Sequence, residues 1–434
     1  MRIYKNELFN KNELIEEEVP NGWSVNKFEN ICSICRGASP RPINKFLTNS
    51  DGIPWIKIGD ATKVSKYIKD TNEYITKEAA KKSRYVYDGD LIVSNSATPC
   101  LPRFVKKTSC IHDGWLLLRD FKGVDKEFLF YIFTIIKEKL KNQGNGSIFI
   151  NLSTDILKNF YIKYPSIEEQ KRIADVLSKQ ESIINKTKNL IEQLEKRNTF
   201  MLDELLSGRL RIKEENGKME FYKNPDDNWQ TVLMNGNEIK IAKDFKKTSI
   251  ENNCIWYSSG VALKSKEMLS EGKYPVIKMT DIKNGYIEKD FKVFTNKYVE
   301  KALLKRNDIV IGLSGSVGKI GIVKTDNDLI LNQRCLAIRV KEYRTLILKI
   351  LENSFKIWIS SKIKAGVIPN ISHKEVLDFN FSLPISNNEL IYLDNFITSI
   401  FSEKERYEEL LIEEQKKFDF LLEELMSGRL RIEE

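Results

Sequence analysis

Histidine is nearly absent: His112 and His373 are the only two in 434 residues, which leaves little for general-base or triad catalysis. Cysteine is sparse as well, and six thiols in a chain this long build no disulfide framework, so a reducing compartment suits them. Cys32-Ser-Ile-Cys35 has no second C-x-x-C, although Cys100, Cys110 and His112 are conceivable partners. Buried apolar thiols are the better reading than zinc ligands. No apolar run approaches a membrane span, the longest being Phe128 to Ile136, and the opening Met-Arg-Ile-Tyr-Lys-Asn-Glu holds no signal-peptide core. A soluble, cytoplasmic protein is expected. With 21 Gly and 11 Pro, collagen-like and low-complexity classes fall away, and 41% apolar residues can bury real cores.

Cofactor motifs are missing too. Gly312-Leu-Ser-Gly-Ser-Val-Gly-Lys-Ile320 has one residue too many between its outer glycines for a phosphate loop, and Ile320 stands where a magnesium-binding hydroxyl belongs. A tight turn explains it better. Asp226, Glu238 and Lys240 match the loose acidic pattern of metal-dependent nucleases, but Asn224-Pro-Asp-Asp-Asn228 is turn chemistry. There is no Asn/Asp-Pro-Pro-aromatic box of the kind that transfers methyl groups. No cofactor and no metal are expected on this chain.

What the chain does have is an internal repeat. Ser207-Gly-Arg-Leu-Arg-Ile212 returns letter for letter as Ser427-Gly-Arg-Leu-Arg-Ile432, a shift of 220 residues. Pro54-Trp-Ile-Lys-Ile-Gly-Asp60 answers to Pro275 to Asp281, Asp90-Leu-Ile-Val93 to Asp308 to Ile311, and Asn151-Leu-Ser153 to Asn370-Ile-Ser372. One unit is therefore used twice. Each half begins with a stretch of short apolar runs bounded by Gly, Asn and Asp, with a helix predicted over Lys126 to Lys141, and this mixture predicts an α+β class.

A long helix closes each half. Pro165 and Pro384 precede it, Ser166 and Ser386 can cap it, and Gly208 and Gly428 can end it. Ile173, Leu177, Gln180, Ile184, Thr187, Ile191, Leu194, Asn198, Met201 and Leu205 follow in steps of four and three. Leu393, Ile397, Ile400, Lys404, Tyr407, Leu411, Glu414, Phe418, Leu421 and Leu425 repeat that spacing. This predicts a pair of antiparallel coiled-coil rods of about 60 Å, with polar breaks that fix register. The expected divisions are 1–165 and 213–384 as globular domains, with 166–212 and 385–434 as helical spacers.

Charge separates these parts. The chain carries +9 in all, yet residues 166–206 and 385–426 together are acidic by eight, so the basic excess lies in the globular halves, +7 over 1–165 and +10 over 207–384. A polyanion touching both halves is the reading this favours.

Taken in order, these motifs resemble the specificity (S) subunit of type I restriction-modification systems over essentially the whole chain. Val19-Pro-Asn-Gly-Trp23 looks like the family's opening, Asp88-Gly-Asp-Leu-Ile-Val93 like its second strand motif, and Glu168-Glu-Gln-Lys-Arg-Ile-Ala174 like the start of its conserved helix. Ser96-Ala-Thr-Pro-Cys100 lacks the glycines usual there, and Asn388-Glu-Leu-Ile-Tyr392 is a degraded helix opening. The resemblance implies a non-catalytic reader: two target recognition domains in pseudo-two-fold repeat, each reading half of a split, asymmetric sequence in double-stranded DNA. It also implies docking of two methyltransferase (M) subunits and of restriction (R) subunits, with S-adenosylmethionine, ATP and magnesium belonging to those partners. For DNA contact the expected residues are Arg36, Arg41, Lys57, Lys63, Arg103 and Lys106 in the first half, and Lys246, Lys247, Lys264, Lys278, Lys319 and Lys364 in the second. Arg209, Arg211, Arg429 and Arg431, beside the helix ends, are expected to bind protein or cap carbonyls. The rival readings are the reader portion of a self-contained restriction enzyme and a basic coiled-coil scaffold.

Overall fold

A computed structural model describes residues 19–432 apart from 50, 97, 143–151, 284, 288–289, 315–316 and 364–369. The chain divides into two compact units, Met1–Lys188 with Glu409–Glu434, and Asn189–Glu408. Both are α+β.

In the first unit, the strands Ser33–Arg36, Trp115–Arg119, Leu91–Ser94, Pro102–Val105 and Tyr67–Ile68 lie in that order in one sheet. A second sheet orders Leu47–Thr48, Tyr74–Ile75, Ile53–Ile56, Ser109–Ile111 and Arg84–Val86. The second unit repeats this plan: Cys254–Ser258, Cys335–Val340, Ile309–Gly312, Ile320–Ile322, Tyr286–Ile287 and Ile282–Lys283 form one sheet. Phe294–Thr295, Tyr274–Ile277, Leu329–Leu331 and Leu303–Leu304 form the other. Even the parallel pairings recur, Ile53–Ile56 with Ser109–Ile111 and Tyr274–Ile277 with Leu329–Leu331. The predicted first-half helix spans Lys126–Asn142.

The shared motifs have structural reasons. After the strand of Pro54 or Pro275, Asp60 accepts the Lys57 amide at 2.9 Å and Asp281 the Lys278 amide at 2.7 Å, each closing a helical turn. Asp90 takes the Tyr87 amide and pairs with Arg119, while Asp308 takes the Lys305 amide and pairs with Arg339. These carboxylates hold strands together.

The long helices run Ile167–Leu206 and Asn387–Ser427. Ser166 and Ser386 accept the amides of Glu169 and Glu389, and Gly208 and Gly428 end the helices at φ of 73° and 75°. Within the first unit Ile173 and Leu177 pack with Leu422, Leu425 and Met426, and the Gln180 amide donates to the Glu414 carbonyl at 3.2 Å and to its carboxylate. Within the second, Leu202 and Leu205 share a core with Leu393 and Ile397, Asn198 donates to the Ile400 carbonyl at 2.8 Å, and Lys404 stands 3.6 Å from Glu195. In each unit the pairing is antiparallel. Ile184 and Leu194 are buried, and Ile191, Met201, Tyr407, Leu411, Phe418 and Leu421 are half-buried.

The arginines after the helices, expected to bind protein or cap carbonyls, make ion pairs within the chain. Arg209 meets Asp203 and Glu204, and Arg429 meets Glu423 and Glu424, one turn back. Arg211 reaches the start of the second long helix and grips Glu389 through two bonds of 2.6 Å, with Asp244 on its other edge. Arg431 grips Glu169 at the start of the first in the same way, at 2.6 and 2.7 Å, and also donates to the Asn21 carbonyl. Each repeated motif thus ties the end of one rod to the beginning of the other.

Among the described residues, 210–242 have no counterpart in the first half. They form two successive hairpins, Leu210–Glu215 with Lys218–Lys223 and Trp229–Met234 with Asn237–Ala242. Asn216-Gly217 and Asn235-Gly236 turn them with positive φ at both residues.

Candidate nucleic-acid interface

In each unit three segments meet at a four-residue turn. In the first unit it is His112 to Trp115, closed by the Trp115 amide on the His112 carbonyl at 3.1 Å. In the second it is Asn332 to Cys335, closed by the Cys335 amide on the Asn332 carbonyl at 3.1 Å. The first side chain steadies each turn: His112 Nδ1 accepts the Gly114 amide at 2.7 Å, and Asn332 Oδ1 accepts the Arg334 amide at 3.4 Å. A glycine backs each one. A Cβ on Gly37 would lie 2.1 Å from the His112 carbonyl oxygen, and one on Gly260 would lie 2.3 Å from that of Asn332.

Burial holds the His112 imidazole below its ordinary range, with Asp113 pulling the other way and Lys57 adding to the depression. With Nδ1 accepting an amide proton, the ring is neutral. Asp113 lies below the usual carboxylate range because the Ser39 hydroxyl donates to it at 2.6 Å, an effect that outweighs the opposing burial.

Of the residues expected from the sequence to touch DNA, the structure gathers three around the first turn. Arg36 donates to the Asp113 carbonyl at 2.8 Å, Arg41 lies 3.7 Å from the Asp113 carboxylate with 82% of its side chain exposed, and Lys57 lies over Trp55 beside His112. Arg84, not anticipated, joins them through the Arg36 carbonyl. Lys63 is exposed, and Lys106 sits apart, against Tyr67 and 3.6 Å from Asp88. Arg103 is inside the protein. It is 7% exposed, its guanidinium is spent on the carbonyls of Ala61, Pro102 and Val64, and burial lowers its pKa to about 10. A guanidinium enclosed this way, with three of its N–H groups on internal carbonyls, braces the protein instead of facing a ligand.

Around the second turn stand Lys278, one residue after Ile277, whose carbonyl takes the Asn332 amide, and Lys264, three after Val261, whose carbonyl takes the Gln333 amide. Lys246 and Lys247 lie elsewhere, on the strand Phe245–Ser249 paired with Asn380–Pro384, where Lys247 donates to the Leu233 carbonyl. Lys319 is exposed at the hairpin between Ile309–Gly312 and Ile320–Ile322, and Lys364 lies outside the described residues. That hairpin is where the phosphate-loop look-alike falls: strand returns to strand, and among its described residues no helix N-terminus is present to cradle phosphate. In the equivalent stretch of the first unit, which has no glycine, Cys100 adopts φ 61° where Gly318 adopts 80°, and their amides bond to the carbonyls of Ser94 and Gly312.

Cys32 and Cys100 lie in one apolar core, where burial raises both thiols to about 12, and Cys110 lies in another at about 11. Among the described residues no group of three His, Cys, Asp or Glu side chains is placed to hold a metal ion. No described helix is long and apolar enough to cross a membrane.

Sequence reasoning missed Gln333 and Arg334, which are exposed at the tip of the second turn. Only alignment of the two halves through Ser109–Ile111 and Leu329–Leu331 reveals their place.

One α+β unit built twice, each copy joined to an antiparallel helix pair and each offering different polar groups from the same turn, defines a tandem recognition module. The profile of the type I restriction modification DNA specificity domain matches residues 20–196 and again 242–411, and the chain belongs to that family. It is similar to the type I restriction enzyme MjaIX specificity subunit of Methanocaldococcus jannaschii, 32% identical over 41% of this chain, and spans 42% of that protein's length. The MjaVIII specificity subunit of the same organism is 25% identical over 100% of this chain and 98% of its own. Among solved structures, the S subunit of the type I restriction-modification system from M. genitalium superposes with a TM-score of 0.58 at 16% identity, covering 95% of this chain and 98% of that one.

Proposed function

We propose that this chain is the sequence-reading subunit of a type I restriction-modification complex, each repeat contacting one half of a bipartite, asymmetric site in double-stranded DNA. The observation that carries this is one scaffold used twice with unlike side chains on equivalent turns, His112-Asp113-Gly114 against Asn332-Gln333-Arg334, on halves that hold the basic excess. The helix pair sets the spacing and docks two M subunits, and R subunits join that assembly. The domains of this reading are 1–165 and 213–384, with 166–212 and 385–434 as spacers. The chain works in the cytoplasm and performs no chemistry. S-adenosylmethionine, ATP and magnesium serve its partners.

The test is reconstitution with M subunits. The complex is expected to methylate adenine in one split motif, while the chain alone, given DNA, magnesium, ATP and S-adenosylmethionine, neither methylates nor cuts. Methylation without sequence preference, or robust cutting by the chain alone, overturns the proposal.

A further inference from the structure

We infer that the two tip residues of the repeated turn, Gln333-Arg334 in the second unit and Asp113-Gly114 in the first, determine which bases each repeat accepts. The inference rests on the DNA-reading function proposed above and adds to it the positions that carry the choice.

Two backbone restraints on the turn recur in both units. The amides of Asn95 and Leu313 bond to the carbonyls of Gly114 and Arg334 at 2.9 and 3.0 Å, and Gly37 and Gly260 press on the other side. A frame fixed at both flanks holds its tip rigidly, while the tip residues differ completely. Gln333 and Arg334 are exposed, and among the described residues their side chains meet no partner, unlike the ion-paired arginines Arg209, Arg211, Arg339, Arg429 and Arg431. An unengaged amide beside an unengaged guanidinium matches the bidentate edges of adenine and guanine. In the first unit Asp113 supplies an acceptor, the partner suited to a cytosine amino group, and Gly114 supplies nothing.

The experiment is selection of methylated duplexes from a randomised DNA library by full-length chain reconstituted with M subunits, comparing the natural chain with Gln333→Ala/Arg334→Ala. The natural chain is expected to select a split motif. The variant should lose about tenfold to a hundredfold discrimination at two or three adjacent positions of one half and none in the other. Asp113→Asn should alter only the opposite half. Melting of Gln333→Ala/Arg334→Ala should be unchanged, since among the described residues these two side chains meet no partner, whereas Asp113→Asn keeps an oxygen for the Ser39 hydroxyl, and Arg334→Lys should retain binding while relaxing the base choice. An unaltered motif in the double variant overturns the inference and leaves the reading function standing. Uniform loss of affinity for all sequences with the motif intact overturns it too, marking phosphate contacts instead. A natural chain that selects no motif defeats the reading function itself.

Discussion

His112 and Asn332 do the same job with different chemistry, and pH separates them. A base whose folded pKa is depressed gives stability that is present above its unfolded value, near 6.5, and lost as pH falls through the folded one. Acidification from pH 7 to pH 5 is therefore expected to lower the melting temperature of the natural chain more than that of His112→Asn, which keeps a turn-capping oxygen without a titration. Thermal melts across that range check it. Arg211 and Arg431 separate by burial. Arg211 has 3% of its side chain exposed, and although burial alone would lower its pKa, the bonds to Glu389 and Asp244 hold it above the usual value. Arg211→Ala strands Glu389 and should cost about 3–5 kcal/mol. Arg431→Ala, at a side chain 41% exposed, should cost about 1 kcal/mol, and chemical denaturation of the two variants measures the difference. Gly260→Ala, at φ 69° and facing the Asn332 carbonyl, should destabilise by more than about 2 kcal/mol and distort the turn that carries Gln333.

At the scale of elements, the long helices were legible because a four-three spacing over forty residues is periodic and capped, and no tertiary contact overrides it. Their polar breaks carry a further expectation: Asn198→Ala strands the Ile400 carbonyl contact within the rod and should cost about 1–3 kcal/mol by chemical denaturation. The start of the second rod differs from the first in one packing detail. Gln170 is fully buried and bonds the Gly123 and Pro165 carbonyls, where the second rod has Leu390 instead. The hairpins over 210–242 escaped the sequence reading, since Lys218–Lys223 is exposed along its whole length and shows no buried alternation. Asn216-Gly217 and Asn235-Gly236 were the signal available. The matching motifs between halves mark carboxylate clasps such as Asp60 and Asp90. A comparison of the two halves finds residues that are shared, and the tip residues differ, which is why they came into view only when the turns were aligned.

For the whole molecule, the repeat was legible from a shift of 220 residues, and the basic excess of the halves follows from counting. Which lysines face a ligand was not, because exposure depends on strand order: Arg103 is enclosed and Arg41 is open, yet both sit among loop-like residues in the sequence. Binding to duplex DNA by the reconstituted complex should weaken steeply as salt rises, with a log–log slope reporting the phosphates neutralised. Fluorescence anisotropy at several salt concentrations gives that slope, and a flat profile would argue against a polyanion partner.

The division of the chain also bears on how it is made. The unit that begins at the N-terminal end is completed by residues 409–434, whose Leu422, Leu425 and Met426 cover Ile173 and Leu177. During synthesis those apolar side chains emerge more than two hundred residues ahead of their cover, while the second unit, contiguous over 189–408, can close first. A nascent chain that has reached only residue 408 therefore holds every residue of the second unit while Ile173 and Leu177 of the first still lack that cover, an apolar strip for chaperones to guard until the last turns emerge.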